Sequence, residues 1–534
     1  MRIASRASGS NWLDCDTLTR LPPSQVELSP MNAPHSHPPA VLSTGVAGLD
    51  HVLLGGLPGN RLYLVEGGAG AGKTTLALQF LIDGVRRREP VLYVVTAETR
   101  DEVEQAAASH GWTFDGIEVL ELQAPAGDAD ADEQYTVFHP SEVQLDEVTR
   151  LLLAAVDRVK PARVVIDSIT GLRLLAQTPA RYRQQVLLLK RALARHGCTA
   201  LLLDDLSEHT RDLQLRSVVH GILSLYRVAP RYGAVRRQLE VAKLRGVDYR
   251  GGFHDFAIRT GGLEMFPRIV TADHHREFNP EVTPSGLAGL DAMLGGGLTR
   301  GTSTVFMGPA GVGKSSLATR YAVAAAERGE HAVVYTFDET LENYLVRSEG
   351  LGLPVRKHIE AKRLDVHQVD PAELSAGEFV HALRAAVEGR DTKLVVIDSL
   401  NGYLHALPDP DLLAVQMHEL LTFLNQRGVL TLLVMAQHGL VGAALESPVD
   451  ISYLADSVLS LRYFEAAGVV RQAISVFKKR TGTHERAIRE LRLTPGQITV
   501  GEALRDFQGV LTGVPQFLGD RAALTGEGDA HAGA

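Results

Sequence analysis

The feature that most constrains this chain is a pattern that occurs twice. A glycine-rich loop ends in Lys73, and a second loop places its lysine, Lys314, 241 residues later. Asp50 and Asp291, which precede the loops, keep the same separation. A chain of 534 residues is too long for one ordinary core and suits two or three domains. The sequence therefore predicts a tandem repeat of one domain.

Each copy alternates apolar strands with helical segments. A strand precedes the first loop, and the helix after it brings Leu76 and Phe80 onto one face. Such alternation is typical of a mostly parallel sheet covered by helices on both faces, so the predicted fold class is α/β. The predicted organisation is a disordered tail over 1–40, two domains over 41–270 and 271–510, and a flexible tail over 511–534.

Both loops fit the pattern G-x-x-x-x-G-K-[S/T], and strand, loop and helix follow in the required order twice, which argues against a chance glycine turn. Backbone N–H groups at the helix start would wrap the phosphates of ATP. Lys73 and Lys314 are expected to reach the β- and γ-phosphates, and Thr74 and Ser315 to coordinate Mg²⁺. The predicted nucleotide-binding residues are Gly67, Gly68, Ala69, Gly70, Ala71, Gly72, Lys73, Thr74 and Thr75, and Gly308, Pro309, Ala310, Gly311, Val312, Gly313, Lys314, Ser315 and Ser316.

Two aspartates are predicted to complete the metal sites. Asp167 and Asp398 end apolar strands, where a buried carboxylate is costly without a partner. A magnesium-bound water beside the phosphates would supply that partner. A carboxylate in a strand-end turn is the alternative.

Two glutamates are predicted to act on the attacking water. Glu98 and Glu339 each lie 25 residues after their loop lysine, a spacing that favours a role in orienting or deprotonating that water. The alternative is a solvated acid at the start of the next helix. Asp338 gives the second site another carboxylate, where the first has Ala97.

A basic pair follows late in each copy: Lys243 with Arg245, and Lys478 with Arg480. Residues two apart on a strand point to the same face. That geometry suits a pair that reaches a phosphate across a subunit boundary. An exposed basic strand edge explains the residues equally well.

Together, the loops, the TAE and FDE strand ends, the VIDS motifs and the KLRG and FKKR segments resemble the KaiC family over about residues 41–515. The resemblance implies two tandem RecA-like P-loop NTPase domains that assemble with other copies of the chain into hexameric rings, with ATP between subunits. It implies that the basic pairs reach the neighbour's γ-phosphate, and it leaves room for regulatory protein partners. The family's paired catalytic glutamates fall on Ala97–Glu98 and Asp338–Glu339, so the first site is expected to have a lowered or altered rate of hydrolysis.

The same resemblance places the family's autophosphorylated serine and threonine at Ser452 and Tyr453. Autokinase activity at Ser452 is therefore expected. A tyrosine hydroxyl lies several ångströms further from the backbone than that of threonine, which argues against a two-site cycle. An ordinary polar residue near a subunit boundary is the alternative for Ser452.

Composition limits the classes of protein to which the chain can belong. The net charge of −9 and the lack of an evident basic, aromatic-rich loop argue against nucleic acid. No apolar run reaches the ~18 residues that span a bilayer, and the N-terminus does not resemble a signal peptide. With only two cysteines, which fits a reducing compartment, a cytoplasmic protein is expected.

Three functions remain open. The first is a KaiC-like ATPase with autokinase activity that acts as a signalling or timing switch. The second is a DNA-associated ATPase of the RecA/RadA type, supported by Gln437, which ends a strand where such proteins sense the γ-phosphate; Leu206 is its first-copy equivalent. The third is a scaffold that ATP assembles and that turns over very slowly.

Overall fold

The structure, a computed structural model, describes residues 40–122, 140–205, 213–230, 233–269, 277–405, 410–437, 455–511 and 515–519. Two nine-stranded sheets dominate these ranges, one in each copy of the repeat. None of the helices described below is both long and apolar enough to cross a bilayer.

The first copy contains eleven strands and seven helices within the described ranges. The strands are β1 (Val41–Leu42), β2 (Leu57–Pro58), β3 (Leu62–Gly67), β4 (Val91–Val95), β5 (Ile117–Glu121), β6 (Arg163–Asp167), β7 (Thr199–Asp205), β8 (Gly221–Val228), β9 (Arg236–Leu244), β10 (Phe253–Arg259) and β11 (Gly262–Phe266). The helices are α1 (Ala47–Val52), α2 (Lys73–Arg86), α3 (Arg100–Ser109), α4 (Pro140–Val159), α5 (Thr170–Ala176), α6 (Pro179–Arg195) and α7 (Leu213–Val218).

The second copy repeats the order of these strands, has two helices between the strands that correspond to β4 and β5, and adds a final hairpin. Its strands are β12 (Val282–Thr283), β13 (Leu298–Thr299), β14 (Ser303–Gly308), β15 (Ala332–Thr336), β16 (Leu364–Gln368), β17 (Leu394–Asp398), β18 (Leu430–Ala436), β19 (Ser457–Ala466), β20 (Val469–Lys479), β21 (Arg489–Thr494), β22 (Gln497–Ala503), β23 (Phe507–Gln508) and β24 (Gln516–Phe517). Its helices are α8 (Ala288–Met293), α9 (Lys314–Glu327), α10 (Leu341–Gly350), α11 (Val355–Glu360), α12 (Ala376–Arg390), α13 (Leu400–His405) and α14 (Pro410–Gln426).

The two large sheets have the same topology. The first runs β11-β10-β9-β8-β3-β7-β6-β4-β5, and the second runs β22-β21-β20-β19-β14-β18-β17-β15-β16. From β8 to β5 and from β19 to β16 all neighbours are parallel, and the remaining strands extend each sheet antiparallel. The predicted fold, two tandem RecA-like domains built on mostly parallel sheets, is confirmed. Strand β24 lies inside the segment predicted as a flexible tail and pairs with β23, so regular structure continues past residue 510.

Alternation along the central strand builds a core on each face of the sheet. Leu62 and Leu64 of β3 pack into one apolar cluster, whereas Tyr63 and Val65 pack into another on the opposite face. All four side chains are buried, as expected for a parallel strand covered by helices on both sides. Strand β14 divides its side chains between two clusters in the same way.

Each phosphate loop enters its helix through a left-handed glycine. Gly72 has φ +106° and Gly313 has φ +104° directly before α2 and α9. A Cβ at Gly72 would lie 2.8 Å from Ile258, and one at Gly313 would lie 2.8 Å from Leu493. The left-handed backbone therefore favours glycine here, which explains the repeated loop pattern, whereas the ends of the Ile258 and Leu493 side chains could shift to make room.

The first sheet also contacts the second domain. The Asp255 carboxylate on β10 accepts a hydrogen bond from the backbone N–H of Gly377 (2.8 Å) in the first turn of α12. A carboxylate at this end of a helix is favoured by its orphan N–H groups. Arg259 forms an ion pair with Glu378 on the same helix.

Candidate active sites

The first loop lysine is held by its own loop and by an acid. Lys73 Nζ donates to the carbonyl oxygens of Gly67 (2.9 Å) and Gly68 (3.0 Å), and it forms an ion pair with Asp205 (2.7 Å). Lys73 is buried, whereas the Asp205 side chain is 59% exposed at the end of β7. A phosphate at this loop would meet a lysine that already has a carboxylate partner.

The second loop lysine has the same backbone contacts but a different setting. Lys314 Nζ donates to the carbonyl oxygens of Gly308 (2.8 Å) and Pro309 (2.7 Å). Ala436 occupies the position that corresponds to Asp205, and within the described residues Lys314 makes no ion pair. Burial lowers the pKa of the Lys314 amine to about 8.

In both domains the predicted metal-binding residues lie side by side. The Thr74 hydroxyl donates to Asp167 Oδ2 (3.0 Å), and the Tyr93 hydroxyl donates to the same oxygen (2.8 Å). Burial raises the pKa of Asp167, and these hydrogen bonds offset part of that rise. In the second domain burial also raises the pKa of Asp398, and the adjacent Ser315 hydroxyl lowers it in part.

These oxygen donors fit a magnesium ion, which prefers oxygen ligands and keeps several from water or phosphate. Across the part of the chain that the structure describes, no cluster of three or more His, Cys, Asp or Glu side chains could hold a metal ion unaided. A magnesium ion here would therefore depend on nucleotide phosphates and water to complete its coordination.

The two predicted catalytic glutamates differ in their surroundings. Burial raises the pKa of Glu98, and the charges of Asp167, Glu102 and Asp205 raise it further. Among the residues described, Glu98 has no ion-pair partner. Glu339, in contrast, is bound by Arg347, with 3.1 Å from Nε to Oε1 and 2.9 Å from Nη2 to Oε2.

The residue before each glutamate also differs in its contacts. Asp338 accepts a hydrogen bond from the Ser399 hydroxyl, which in turn accepts one from the backbone N–H of Gly402 (3.2 Å). In the first domain the contact to the serine after the strand comes from Thr96 instead, whose hydroxyl accepts a hydrogen bond from the backbone N–H of Ser168 (3.1 Å). The additional carboxylate thus lies next to the strand end that carries the predicted metal-binding aspartate.

The first basic pair lies towards the end of the sheet that is opposite its own loop. Lys243 of β9 is level with Ile222 of β8, which is level with Leu64, three residues before Gly67. Three residues along a strand and two strand spacings each cover about 10 Å, and the chain runs from Lys243 to Arg245 away from the loop end. Lys243 Nζ donates to the carbonyl of Arg216 (2.6 Å). Arg245 donates to the neighbouring carbonyl of Ser217 (3.1 Å), so both side chains face one side.

The second basic pair has the same placement. Lys478 of β20 is level with Val458 of β19, which is level with Val305, three residues before Gly308. Lys478 donates to the carbonyl of Ala455 (2.7 Å), and Arg480 lies 3.3 Å from the carboxylate of Asp456. The register that separates the pair from its own loop is therefore shared by both domains.

Other predicted residues fall in different places. Gln437 follows β18, and its backbone N–H donates to the carbonyl of Gly308 (3.0 Å) at the start of the loop. Its first-domain equivalent Leu206 lies outside the described residues, as do Ser452 and Tyr453.

Sequence reasoning missed Tyr93, Asp205 and Arg347. Asp205 could have been noticed, because it stands 231 residues before Ala436 in otherwise matching strand ends. When the two copies are aligned at the constant offset of 241 residues, Tyr93 corresponds to Val334 and Arg347 corresponds to Ala106. These three residues carry the differences between sites that share a fold.

The two sheets have the same strand order. In each, a phosphate-binding loop follows the carboxyl end of the central strand, and a hydroxyl and a carboxylate lie beside it. This arrangement defines a tandem P-loop ATPase of the RecA-like type. The chain belongs to the KaiC family: the family model described as "ATPase: KaiC" matches residues 42–269 and again 283–505.

Its relatives include proteins named as circadian clock proteins. The chain is 26% identical over 482 residues to the circadian clock protein KaiC3 of Synechocystis sp., covering 89% of this chain and 94% of that protein. It is 25% identical over 495 residues to the circadian clock oscillator protein KaiC of Synechococcus elongatus, covering 91% and 94%. A KaiC from Thermosynechococcus vestitus is 25% identical over 480 residues, covering 89% and 91%. The similarity thus extends over both domains.

Proposed function

We propose that this KaiC-family ATPase hydrolyses ATP at two sites per subunit, in a hexameric ring in which each site lies between two subunits. One observation supports this proposal above all: both basic pairs lie towards the end of the sheet that is opposite their own loops. A ring would bring each pair to the loop of the next subunit, where its cations stabilise the charge that develops on the γ-phosphate.

The residues of one site divide the work as follows. In the first domain the loop backbone and Lys73 hold the phosphates, with Thr74 and Asp167 at the magnesium ion. A bound magnesium ion would neutralise phosphate charge during the transfer. Glu98 orients the attacking water and accepts its proton. In the second domain Lys314, Ser315, Asp398 and Glu339 take the same roles in the same order.

We further propose that the second domain transfers phosphate to Ser452 and that the ring acts as a signalling or timing switch. The support is the family membership and the clock function in the names of the relatives. A carboxylate at Asp338 beside the catalytic glutamate offers a second base for a protein hydroxyl. The tyrosine at 453 restricts the proposal to one phosphorylated serine.

Incubation with γ-labelled ATP tests both parts. Label bound to the protein, and lost in Ser452→Ala, supports the autokinase. Free phosphate without bound label supports hydrolysis alone. Ring formation on ATP addition without either product would instead support an ATP-assembled scaffold.

A DNA-associated ATPase is the second candidate, because Gln437 is adjacent to the phosphate loop as a γ-phosphate sensor would be. Phosphate release measured with and without single-stranded DNA distinguishes it. Stimulation by DNA that is lost in Gln437→Ala would favour this candidate over the switch.

A further inference from the structure

The contact between Arg347 and Glu339 has no counterpart in the first site. Arg347 lies on α10, and its guanidinium engages both carboxylate oxygens of Glu339 through Nε and Nη2. The corresponding position in α3 is Ala106, which has no side chain that could reach Glu98. The catalytic glutamates therefore differ in restraint although their backbones are equivalent.

Arg347 is itself held in place on two further sides. Its guanidinium carbon lies 5.1 Å from the centre of the Tyr344 ring, and Tyr344 is buried in the core. Its Nη1 approaches the Ser316 hydroxyl of the loop helix at 3.5 Å. A guanidinium fixed by an aromatic ring and by the loop helix holds its carboxylate partner in one position.

In the first site the same space is open. A surface cavity of about 310 Å³ lies beside Glu98 and is bordered by Thr75 and Ala106. The residues that correspond to these three in the second domain are Glu339, Ser316 and Arg347, and there Arg347 contacts both of the others. The arginine thus occupies in one domain the volume that the other leaves to solvent.

We propose that Arg347 is a positioning residue that restrains Glu339 and thereby slows ATP hydrolysis at the second site. This inference rests on the proposed role of Glu339 towards the attacking water. A carboxylate whose two oxygens both accept from a guanidinium must loosen that contact to take up the hydrogen of a water and then its proton. Slow hydrolysis would leave ATP at this site available for transfer to a protein hydroxyl.

The test uses the full-length chain with the first site silenced by Lys73→Ala, so that released phosphate reports the second site. Arg347→Ala is expected to raise kcat several-fold with KM for ATP unchanged, because neither Arg347 nor Glu339 is among the predicted phosphate-binding residues. Arg347→Lys keeps the charge but cannot bind both oxygens in the same way, so its kcat should lie between those of the other two.

The reciprocal variant is made in the first site, with the second silenced by Lys314→Ala. Ala106→Arg places a guanidinium in the open cavity beside Glu98, and kcat is expected to fall several-fold. Ala108→Arg, on the exposed face of the same helix, is the matched control and should leave kcat unchanged. This arm decides the question even if Arg347→Ala does not fold.

The Glu339→Gln variant separates the two levels of the proposal. If it leaves second-site turnover intact, the role of Glu339 itself is wrong. If it abolishes turnover while Arg347→Ala leaves kcat unchanged or lowers it, the restraint is overturned and the ATPase mechanism stands. An unchanged kcat in Ala106→Arg would likewise overturn the restraint.

Discussion

The two nucleotide sites share a backbone and differ in charge. The first site carries additional acids, Asp205 at the loop lysine and Glu102 near Glu98. The second replaces them with Ala436 and Asn343, and it adds Arg347. The side chains of Asp205 and Arg347 take no part in the backbone pairing of the strands or in the glycine turns, whereas Glu102 also caps α3. A duplicated ATPase fold can therefore surround its two sites with different charged side chains.

The largest expected effect is that of replacing a proposed catalytic glutamate. Glu98→Gln, made with Lys314→Ala, and Glu339→Gln, made with Lys73→Ala, should each reduce phosphate release by roughly 10²- to 10⁴-fold, as expected when a general base is removed. ATP should remain bound, because neither side chain contacts the loop lysine. Filter binding and phosphate release measure the two quantities. Full turnover in either variant would break the equivalence of the two glutamates.

Removing a loop lysine comes next. Lys73→Ala and Lys314→Ala are each expected to weaken ATP binding at one site by roughly 10- to 100-fold, the value of a charged hydrogen bond, and to leave the other site unchanged. Isothermal titration calorimetry should show one tight ATP per subunit instead of two. An unaltered stoichiometry and affinity in both variants would contradict two independent sites.

Removing the acid beside Lys73 is expected to have a smaller effect, on the affinity of the first site for ATP. Asp205→Ala frees the lysine from an ion pair whose acid is exposed, so the gain is about 0.2–1 kcal/mol. First-site affinity for ATP should rise by up to about fivefold. Ala436→Asp, which builds the same acid into the second site, should lower affinity there. Weaker binding in Asp205→Ala would show that the acid organises the lysine instead of competing for it.

The smallest expected effect concerns pH. The proposed base Glu98 must be ionised to accept a proton, and its pKa is raised by burial and by the charges of Asp167, Glu102 and Asp205. First-site turnover should therefore fall as the pH drops through that raised pKa. Glu102→Gln removes one of these charges, retains the side chain that caps α3, and should move the acidic limb to lower pH. Glu104→Gln on the same helix is the control. If the acidic limb of the pH profile stays in place in Glu102→Gln, Glu98 is not the group whose titration sets it.

The sequence predicted most of what the two sites have in common. The repeated strand, loop and helix predicted the parallel sheets, and the spacing to Asp167 and Asp398 predicted aspartates that lie beside Thr74 and Ser315. It could not predict the contacts that distinguish the sites. Whether a side chain on α10 turns back to the strand end before it depends on the angle between helix and sheet, which no local pattern encodes.

The most direct test of the assembled sites mixes two variants that are each inactive at the second site, both with Lys73→Ala. One carries Glu339→Gln and lacks the base; the other carries Arg480→Ala and lacks the cation. If loop and cation come from different subunits, rings assembled from equal amounts should recover phosphate release at about a quarter of their interfaces. Activity of the mixture no greater than that of the separate variants would contradict sites shared between subunits.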